Sequence, residues 1–215
     1  MISAIDFHSH ILPGIDDGAK DVGESLKMLE MIKEQSCGAK HYIVATPHFK
    51  EHIVTDKSID SYIRRRDEAY NKVMNARNNM DNPSIILGAE VALNRTLVDC
   101  ANLKKLCMGK SNIILLELPR LSYKPWMYEI VQKIRYEHNL IPMVAHFERY
   151  IGMYSKDDFE QVFDFPDAIF QFTSSELTVR KLRKFVLPVV RSELPTVMGT
   201  DCHNAQKRGP DYYNG

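Results

Sequence analysis

Two of the eight histidines stand one residue apart in Asp6-Phe7-His8-Ser9-His10. Extended chain sends successive side chains to opposite faces, so Ile5 and Phe7 share one face while Asp6, His8 and His10 share the other. Two residues of strand advance about 6–7 Å, which lets both imidazoles converge on one divalent metal or on two adjacent ones. Asp16 and Asp17 follow a Pro13-Gly14 turn and offer hard oxygen ligands. A His-x-His pair with nearby carboxylates suits a metal bound through nitrogen and oxygen. The same residues would also make a polar strand end followed by a turn, and the rest of the chain weighs between the two.

Seven apolar, β-branched runs recur along the chain, and six of them end in a His, Asp or Glu. The ligand candidates are His8, His10, Asp17, His48, Glu90, Glu117, His146, Asp201 and His203. Nine such groups exceed the demand of one metal and suit a two- or three-metal centre with bridging carboxylates. Singly, each has an ordinary role open to it. Glu90 or Glu117 could pair with an arginine, and His48 could fill the turn after Pro47. That reading weakens because five of the eight histidines fall on strand ends together, leaving only His41, His52 and His138 as structural or surface residues. Arg149, in His146-Phe147-Glu148-Arg149-Tyr150, and Arg208, beyond His203, add guanidinium forks that bind phosphate oxygens and keep their charge. Together these groups point to a phosphorylated substrate.

Cys202 to Arg208 also fits the C-x5-R spacing of thiol-based tyrosine phosphatases, in which a thiolate attacks phosphorus. The loop has no internal glycine, no Ser or Thr follows Arg208, and Asp201 precedes the cysteine. The spacing is therefore read as coincidence, with Cys202 a small filler between two ligands. No Gly-x-Ser-x-Gly elbow, Walker loop or GxGxxG motif occurs.

The elements that must position these groups read as strands over 2–7, 41–45, 84–89, 112–116, 140–145, 168–172 and 196–199. Helical patterns lie between them. Asp21-x-x-Glu24 caps the first helix, with Leu26, Leu29 and Ile32 on one stripe. The second runs from Ile59 to Met80, with Ile59, Tyr62, Ile63, Tyr70, Val73 and Met74 apolar. Residues 95–107 read as a third. Pro125 opens a fourth, with Trp126, Ile130, Val131 and Ile134 turned inward. Ser155-x-x-Asp158 caps a short fifth, and Ser175 leads a sixth that Pro188 terminates. Alternation of this kind implies parallel βαβ units. An open doubly wound sheet collects its ligands at one switch point, whereas a barrel draws them from many strand ends around one mouth. The spread of polar strand ends favours an α/β fold of the (β/α)7 barrel kind, as a single domain over 1–215.

Lys+Arg and Asp+Glu both number 28, and the zero net charge argues against generic binding of nucleic acid or anionic membranes. Cys37, Cys100, Cys107 and Cys202 show no CxxC spacing and read as free thiols in a reducing compartment. The N-terminus has no signal-peptide pattern, and no apolar run approaches the roughly 20 residues of a membrane helix. The expectation is a cytoplasmic protein without membrane insertion.

Taken in order, several motifs resemble one family. They are Asp6-Phe-His-Ser-His-Ile-Leu-Pro-Gly-Ile-Asp-Asp-Gly-Ala-Lys20, Ala45-Thr46-Pro47-His48, Gly88-Ala89-Glu90, Leu116-Glu117-Leu118-Pro119, Ala145-His146-Phe147-Glu148-Arg149-Tyr150 and Thr200-Asp201-Cys202-His203-Asn204. The chain is similar over 2–208 to the bacterial PHP-type, manganese-dependent protein-tyrosine phosphatases of capsule and exopolysaccharide operons (the CpsB/YwqE type). The D-x-H-x-H opening belongs to PHP domains generally, and the Leu12-to-Lys20 run is narrower to this branch. The resemblance implies a distorted (β/α)7 barrel with three divalent metals, Mn2+ foremost, although Fe2+ and Zn2+ use such ligands too. It implies His8, His10 and Asp201 on one metal, Glu90 bridging to a second held by Glu117 and His146, and Asp17, His48 and His203 on a third. Arg149 and Arg208 become the phosphate-binding arginines. The implied reaction is metal-assisted phosphomonoester hydrolysis without a covalent enzyme intermediate, and the implied partner is a cognate bacterial tyrosine kinase carrying phosphotyrosine. Family members carry a further C-terminal helical segment, which is expected to be missing here. Two readings stand beside this one: a PHP phosphatase for a small ester such as histidinol phosphate, and an impaired metal-binding regulatory protein. The sequence is silent on oligomeric state.

Overall fold

The computed structural model describes residues 3–35, 39–77 and 83–212. Its strands and helices follow the chain as β1 (Ser3–Ser9), α1 (Val22–Gln35), β2 (Lys40–Ala45), β3 (His48–Phe49), α2 (Asp56–Ala76), β4 (Ser84–Leu87), β5 (Glu90–Ala92), β6 (Ile113–Glu117), α3 (Pro125–Tyr136), β7 (Ile141–Val144), α4 (Lys156–Phe163), β8 (Ile169–Thr173), α5 (Arg180–Val190) and β9 (Thr196–Gly199). The paired strands are all parallel. They form a three-stranded sheet, β1-β2-β4, and a six-stranded sheet, β3-β5-β6-β7-β8-β9. The fold is thus α/β with parallel sheets, as the alternation predicts.

The division into two sheets is a departure from a continuous seven-strand ladder. The strand expected over 84–89 is interrupted at Gly88-Ala89 between β4 and β5, and past the end of β2 the chain resumes after Thr46-Pro47 as the unexpected short strand β3. Pro47 has no N–H to give a ladder. The break is bridged by Gly88 N–H donating to Ala45 O at 2.8 Å and by Glu90 N–H shared between Thr46 O and Pro47 O, each at 3.2 Å. At the other seam, β9 and β1 meet without a regular ladder. Asp201 N–H donates to His8 O, and His10 N–H to Cys202 O, both at 2.8 Å, around an isolated Ser9–Cys202 bridge. No closed barrel ladder is present among the described residues.

Alternation within the strands sorts the core. Ile114 and Leu116 of β6 face α3 and α4 together with Val131, Ile134 and Val162. Leu115 faces the opposite way and joins Val44 and Met143, with Phe7, Ile86, Ile169 and Val197 packed against them. The latter cluster draws an apolar side chain from β1, β2, β4, β6, β7, β8 and β9. On the remaining side, Met28, Leu29 and Ile32 of α1 pack with Ile43 of β2.

The helices correct several expectations. Asp21 Oδ1 accepts from Glu24 N–H and the Glu24 carboxylate from Lys20 N–H, both at 2.9 Å, so the cap predicted for α1 forms with its return arm one residue further out. The helix α2 begins before Ile59, because Thr55 and Ser58 make a reciprocal capping box. Its predicted end at Met80 lies outside the described residues, as does Cys37. Met74 is exposed, while Arg66 is buried and donates from Nη1 to Gly88 O at 3.2 Å. Residues 95–107 are not an α-helix but two 3-10 turns, Leu97–Asp99 and Leu103–Leu106. Leu97, Leu103 and Leu106 are buried, and their spacing in multiples of three matches the three residues per turn of that helix. Asn102 N–H is taken by Asp56 Oδ1 at 2.8 Å rather than by a helical carbonyl. Ser175 lies in a 3-10 turn, Ser174–Thr178, before α5. Pro188 does not terminate α5, which continues to Val190. Placed in the last turn, it forfeits one backbone donor while Arg191 N–H still reaches Leu187 O at 3.1 Å. Among the described residues no helix is long and apolar enough to cross a membrane.

Candidate metal centre

His8 and His10 leave the end of β1 on its polar face, and both are fully buried. Each has one ring nitrogen committed. His8 Nδ1 lies 2.9 Å from Gln171 Oε1. That oxygen also accepts His146 N–H at 2.8 Å, while Gln171 Nε2 donates to Phe172 O at 2.7 Å, so the amide orientation is settled by its partners. The His8 proton therefore sits on Nδ1. His10 Nδ1 faces Asp16 Oδ2 at 2.7 Å, and Asp16 is itself held by N–H groups of His48 at 2.7 Å and Gly18 at 2.9 Å. Each ring thereby turns its Nε2 toward the centre, and the two Nε2 atoms lie 3.1 Å apart.

Glu90, at the start of β5, reaches the same point. Its Oε2 lies 3.3 Å from His8 Nε2, 3.3 Å from His10 Nε2 and 2.7 Å from His48 Nδ1. Neither Glu90 Oε2 nor His48 Nδ1 makes a hydrogen bond of acceptable geometry, although both atoms are buried. Its other oxygen meets His146 Nε2 at 2.9 Å. Asp201, just after β9, places Oδ1 at 3.4 Å from His8 Nε2 and 3.2 Å from His10 Nε2. Buried carboxylates and imidazoles converging in this way need a proton or a cation among them, and their nitrogen and oxygen donors fit a divalent metal.

Three groups of side chains have ligand atoms close enough to share an ion: His8, His10 and Asp201; His10, Asp17, His48 and His203; and His48, Glu90 and Glu117. All nine ligand candidates lie in or beside this cluster. His146 borders the third group, 2.9 Å from Glu90 and 4.0 Å from Glu117. Asp17 is the outermost, with its side chain 66% exposed, and its Oδ1 lies 3.3 Å from His48 Nε2 and 3.6 Å from His203 Nε2. His146 and Asp201 both adopt left-handed backbone, φ 33° and 50°, which turns the chain sharply as each strand ends.

The electrostatics record the same demand for positive charge. Burial acts to raise Glu90 and Asp201, but the imidazoles, His8 first, outweigh it and hold both carboxyls well below their ordinary range. Burial acts to lower His10, and its bond to Asp16 lifts it well above the usual value. Burial and the neighbouring His10 draw His203 down to about 4.

Both predicted arginines address the cluster. Arg149 Nη2 pairs with Asp201 Oδ2, and Arg208 Nη2 lies 3.0 Å from the same oxygen. They border a cleft of about 590 Å3 that Thr173, Ser175 and Glu176 help to line. Opposite them, Glu117 is bracketed by Arg120 Nη2 at 3.3 Å and Lys50 Nζ at 3.5 Å. Cys202 is fully buried, and burial pushes its thiol far above the range in which a thiolate forms. The C-x5-R spacing is therefore not a nucleophile loop.

The description "Capsular polysaccharide synthesis, CpsB/CapC" matches residues 4–214. The chain belongs to the CpsB/CapC family. It is 28% identical over 212 residues to the tyrosine-protein phosphatase YwqE of Bacillus subtilis, covering 95% of this chain and 79% of that protein. CapC of Staphylococcus aureus, whose name provisionally assigns a tyrosine-protein phosphatase, is 25% identical over 212 residues, covering 95% and 78%. The fold superposes with a TM-score of 0.66 and 24% identity, over 95% of this chain and 81% of the other, on a structure from work describing YwqE of B. subtilis and CpsB of Streptococcus pneumoniae as metal-dependent tyrosine phosphatases.

Gln171, Lys50 and Arg120 escaped the sequence reading of roles, and Asp16, read there as a possible oxygen ligand, instead faces His10 Nδ1. Asp16 and Gln171 orient the two imidazoles, and Lys50 and Arg120 bracket Glu117. Asp16 stands in the same Asp-Asp-Gly run as Asp17, but nothing in that run distinguishes the aspartate that faces His10 from the one that faces His48.

Proposed function

We propose that this chain is a metal-dependent protein-tyrosine phosphatase of capsule or exopolysaccharide synthesis. The observation that carries the reading is the meeting of two imidazole Nε2 atoms with Glu90 Oε2, beside a carboxylate that both arginines address. The ligands are His8, His10 and Asp201 for one metal, with Glu90 shared toward a second site of Glu117 and His146, and Asp17, His48 and His203 for a third. Mn2+ is the metal of choice. Bound divalent ions supply an activated water and a counter-charge for phosphoryl oxygens.

The chain's own residues do the remaining work. Arg149 and Arg208 exchange Asp201 Oδ2 for the non-bridging oxygens of the phosphoryl group, offsetting charge as it transfers. Asp16 and Gln171 accept the Nδ1 protons of His10 and His8, so Nε2 is the nitrogen each ring presents to a cation. The buried floor, from His8 to Glu90, keeps bulk water away from these charges. The substrate is a tyrosine-phosphorylated protein, namely a cognate tyrosine kinase. The two parallel sheets are read as one distorted (β/α)7 barrel, supported by the apolar cluster that draws on all seven strand positions and by the two hydrogen bonds joining β9 to β1.

The test is hydrolysis of a phosphotyrosine peptide by protein stripped of metal and reloaded with Mn2+, alongside histidinol phosphate. The expected outcome is turnover of the peptide that chelation removes, Mn2+ restores and His8→Ala or Asp201→Ala abolishes. Faster turnover of histidinol phosphate would replace the substrate assignment. Metal binding without phosphate release from either would leave a regulatory protein.

A further inference from the structure

The outer face of α5 carries Arg180, Lys181, Arg183 and Lys184, Arg191 follows at its C-terminal cap, and no acidic residue lies between Glu176 and Glu193. All five are exposed. None of them enters an ion pair among the described residues, although α4 alongside carries Asp157, Asp158 and Glu160. On a helical projection Arg180, Arg183, Lys184 and Arg191 fall on one stripe, while Phe185, Val186 and Val189 turn toward the core. In a chain with as many acidic as basic residues, this is a local concentration of charge that packing does not require. Its place in the fold is equally specific. The 3-10 turn that leads into α5 gives Ser175 and Glu176 to the cleft holding Arg149 and Arg208. The basic stripe therefore starts at the lip of that cleft and runs away from it.

We infer that the outer face of α5 is a docking track for an acidic stretch of the polypeptide whose phosphotyrosine occupies the cleft. The inference rests on the phosphatase reading above and adds a substrate preference to it. Helix α5 has 11 residues and so spans about 16 Å, the reach of about five residues of extended chain. Asp or Glu residues within roughly seven positions of the phosphotyrosine, on one side of it, meet the track. An anionic lipid surface fits less well, because the exposed face offers no aromatic side chain to anchor in a bilayer.

The experiment compares kcat/KM for two phosphotyrosine peptides, one with acidic and one with neutral flanks, and for p-nitrophenyl phosphate. The protein is used metal-loaded, with Arg180→Glu/Arg183→Glu/Lys184→Glu as the variant. The charge-neutral Arg180→Gln/Arg183→Gln/Lys184→Gln variant serves should the reversal impair folding. The acidic peptide is expected to be favoured by at least about fivefold at low salt, with the preference shrinking as salt rises. Both variants are expected to lose the preference and to keep wild-type turnover of p-nitrophenyl phosphate. Equal kcat/KM for the two peptides in the wild-type protein would overturn the inference, as would a preference that survives in the variants. A change in oligomeric mass on charge reversal without a peptide preference would assign the face to a second copy of the chain. Salt-sensitive binding to phosphatidylserine vesicles without a peptide preference would assign it to lipid. If neither peptide is hydrolysed, the phosphatase reading fails on its own terms. Fluorescence anisotropy of the acidic peptide then decides the docking question, through binding that the variants lose or no binding at all.

Discussion

Asp16 and Gln171 decide which nitrogen of His10 and of His8 carries the proton, and so which one is free to bind a cation. Burial works to raise the Asp16 carboxyl, yet the His10 imidazole outweighs it and draws it to about 2. Asn at this position keeps an acceptor for Nδ1–H but removes the charge that strengthens His10 as a ligand. Asp16→Asn is therefore expected to weaken metal binding by about 10–100-fold, read by competition with a chelator of known affinity. An unchanged affinity would reduce Asp16 to a turn residue. A second carboxyl makes stability depend on pH in the opposite sense. Glu148 is fully buried, accepts Thr173 N–H at 3.1 Å, and is pushed by burial from 4.5 up to about 7. Between those two values the native state holds a proton that the unfolded chain has released. Stability therefore falls as pH rises from 4.5 to 7, and the full cost, about 3 kcal/mol, is present above 7. Urea unfolding of the metal-free protein at pH 5 and pH 8 is expected to show Glu148→Gln losing less stability over that interval than the wild-type protein, by up to about 3 kcal/mol. A loss of the same size in the variant would assign the pH dependence to other groups.

The elements that carry the site are strands whose ends break pattern. Gly199, the last residue of β9, lies so close to β1 that an added Cβ would sit 2.6 Å from His8 Cβ and 3.0 Å from Gln171 Nε2. Both neighbours belong to the His8 arrangement and have no room to retreat. Gly199→Ala is expected to cost about 1–3 kcal/mol of stability and to lower metal affinity at the same time, measured by thermal unfolding and by metal titration. A stable variant with wild-type affinity would show that the β1–β9 seam is looser than its contacts imply. The strands themselves were legible in the sequence because each is a short apolar run whose last residues turn polar, as in Ile113 to Glu117. That pattern exposed the ligand candidates with it. The interruptions at Thr46-Pro47 and Gly88-Ala89 were not legible, because both pairs read as strand ends and only pairing shows that the chain resumes in another sheet. Nor was the burial of Arg66, whose partner is a backbone carbonyl, or the role of Gln171, which stands 163 residues from His8. Periodicity reports which face is apolar, and it carries no information about which distant polar group a buried side chain meets.

At the scale of the molecule, the centre is where the two sheets are tied together. His8 and His10 come from the three-stranded sheet, whereas His48, Glu90, Glu117 and Asp201 come from or follow strands of the six-stranded one. Among the described residues, backbone pairing across the β9–β1 seam is limited to the isolated Ser9–Cys202 bridge and its flanking hydrogen bonds, so side-chain interactions carry part of the connection. Without a cation, Glu90 and Asp201 are buried carboxylates within reach of one another's imidazoles, and protonation of those rings is the available compensation. A cation bound by residues of both sheets stabilises the native state alone, since the unfolded chain has no such convergence. At a free metal concentration 100 times the dissociation constant, one site adds about 2.7 kcal/mol. For a domain of this size each kcal/mol moves the melting temperature by about 2–4 °C, so one occupied site is worth roughly 5–10 °C. Chelation is therefore expected to lower Tm by at least that much, and added Mn2+ to restore it in step with the phosphatase activity. Asp201→Asn, which weakens one group while leaving the backbone link to His8 in place, is expected to show a smaller metal-dependent rise. A melting temperature indifferent to chelation, in protein shown by elemental analysis to have lost its metal, would mean that the sheets hold together without the centre.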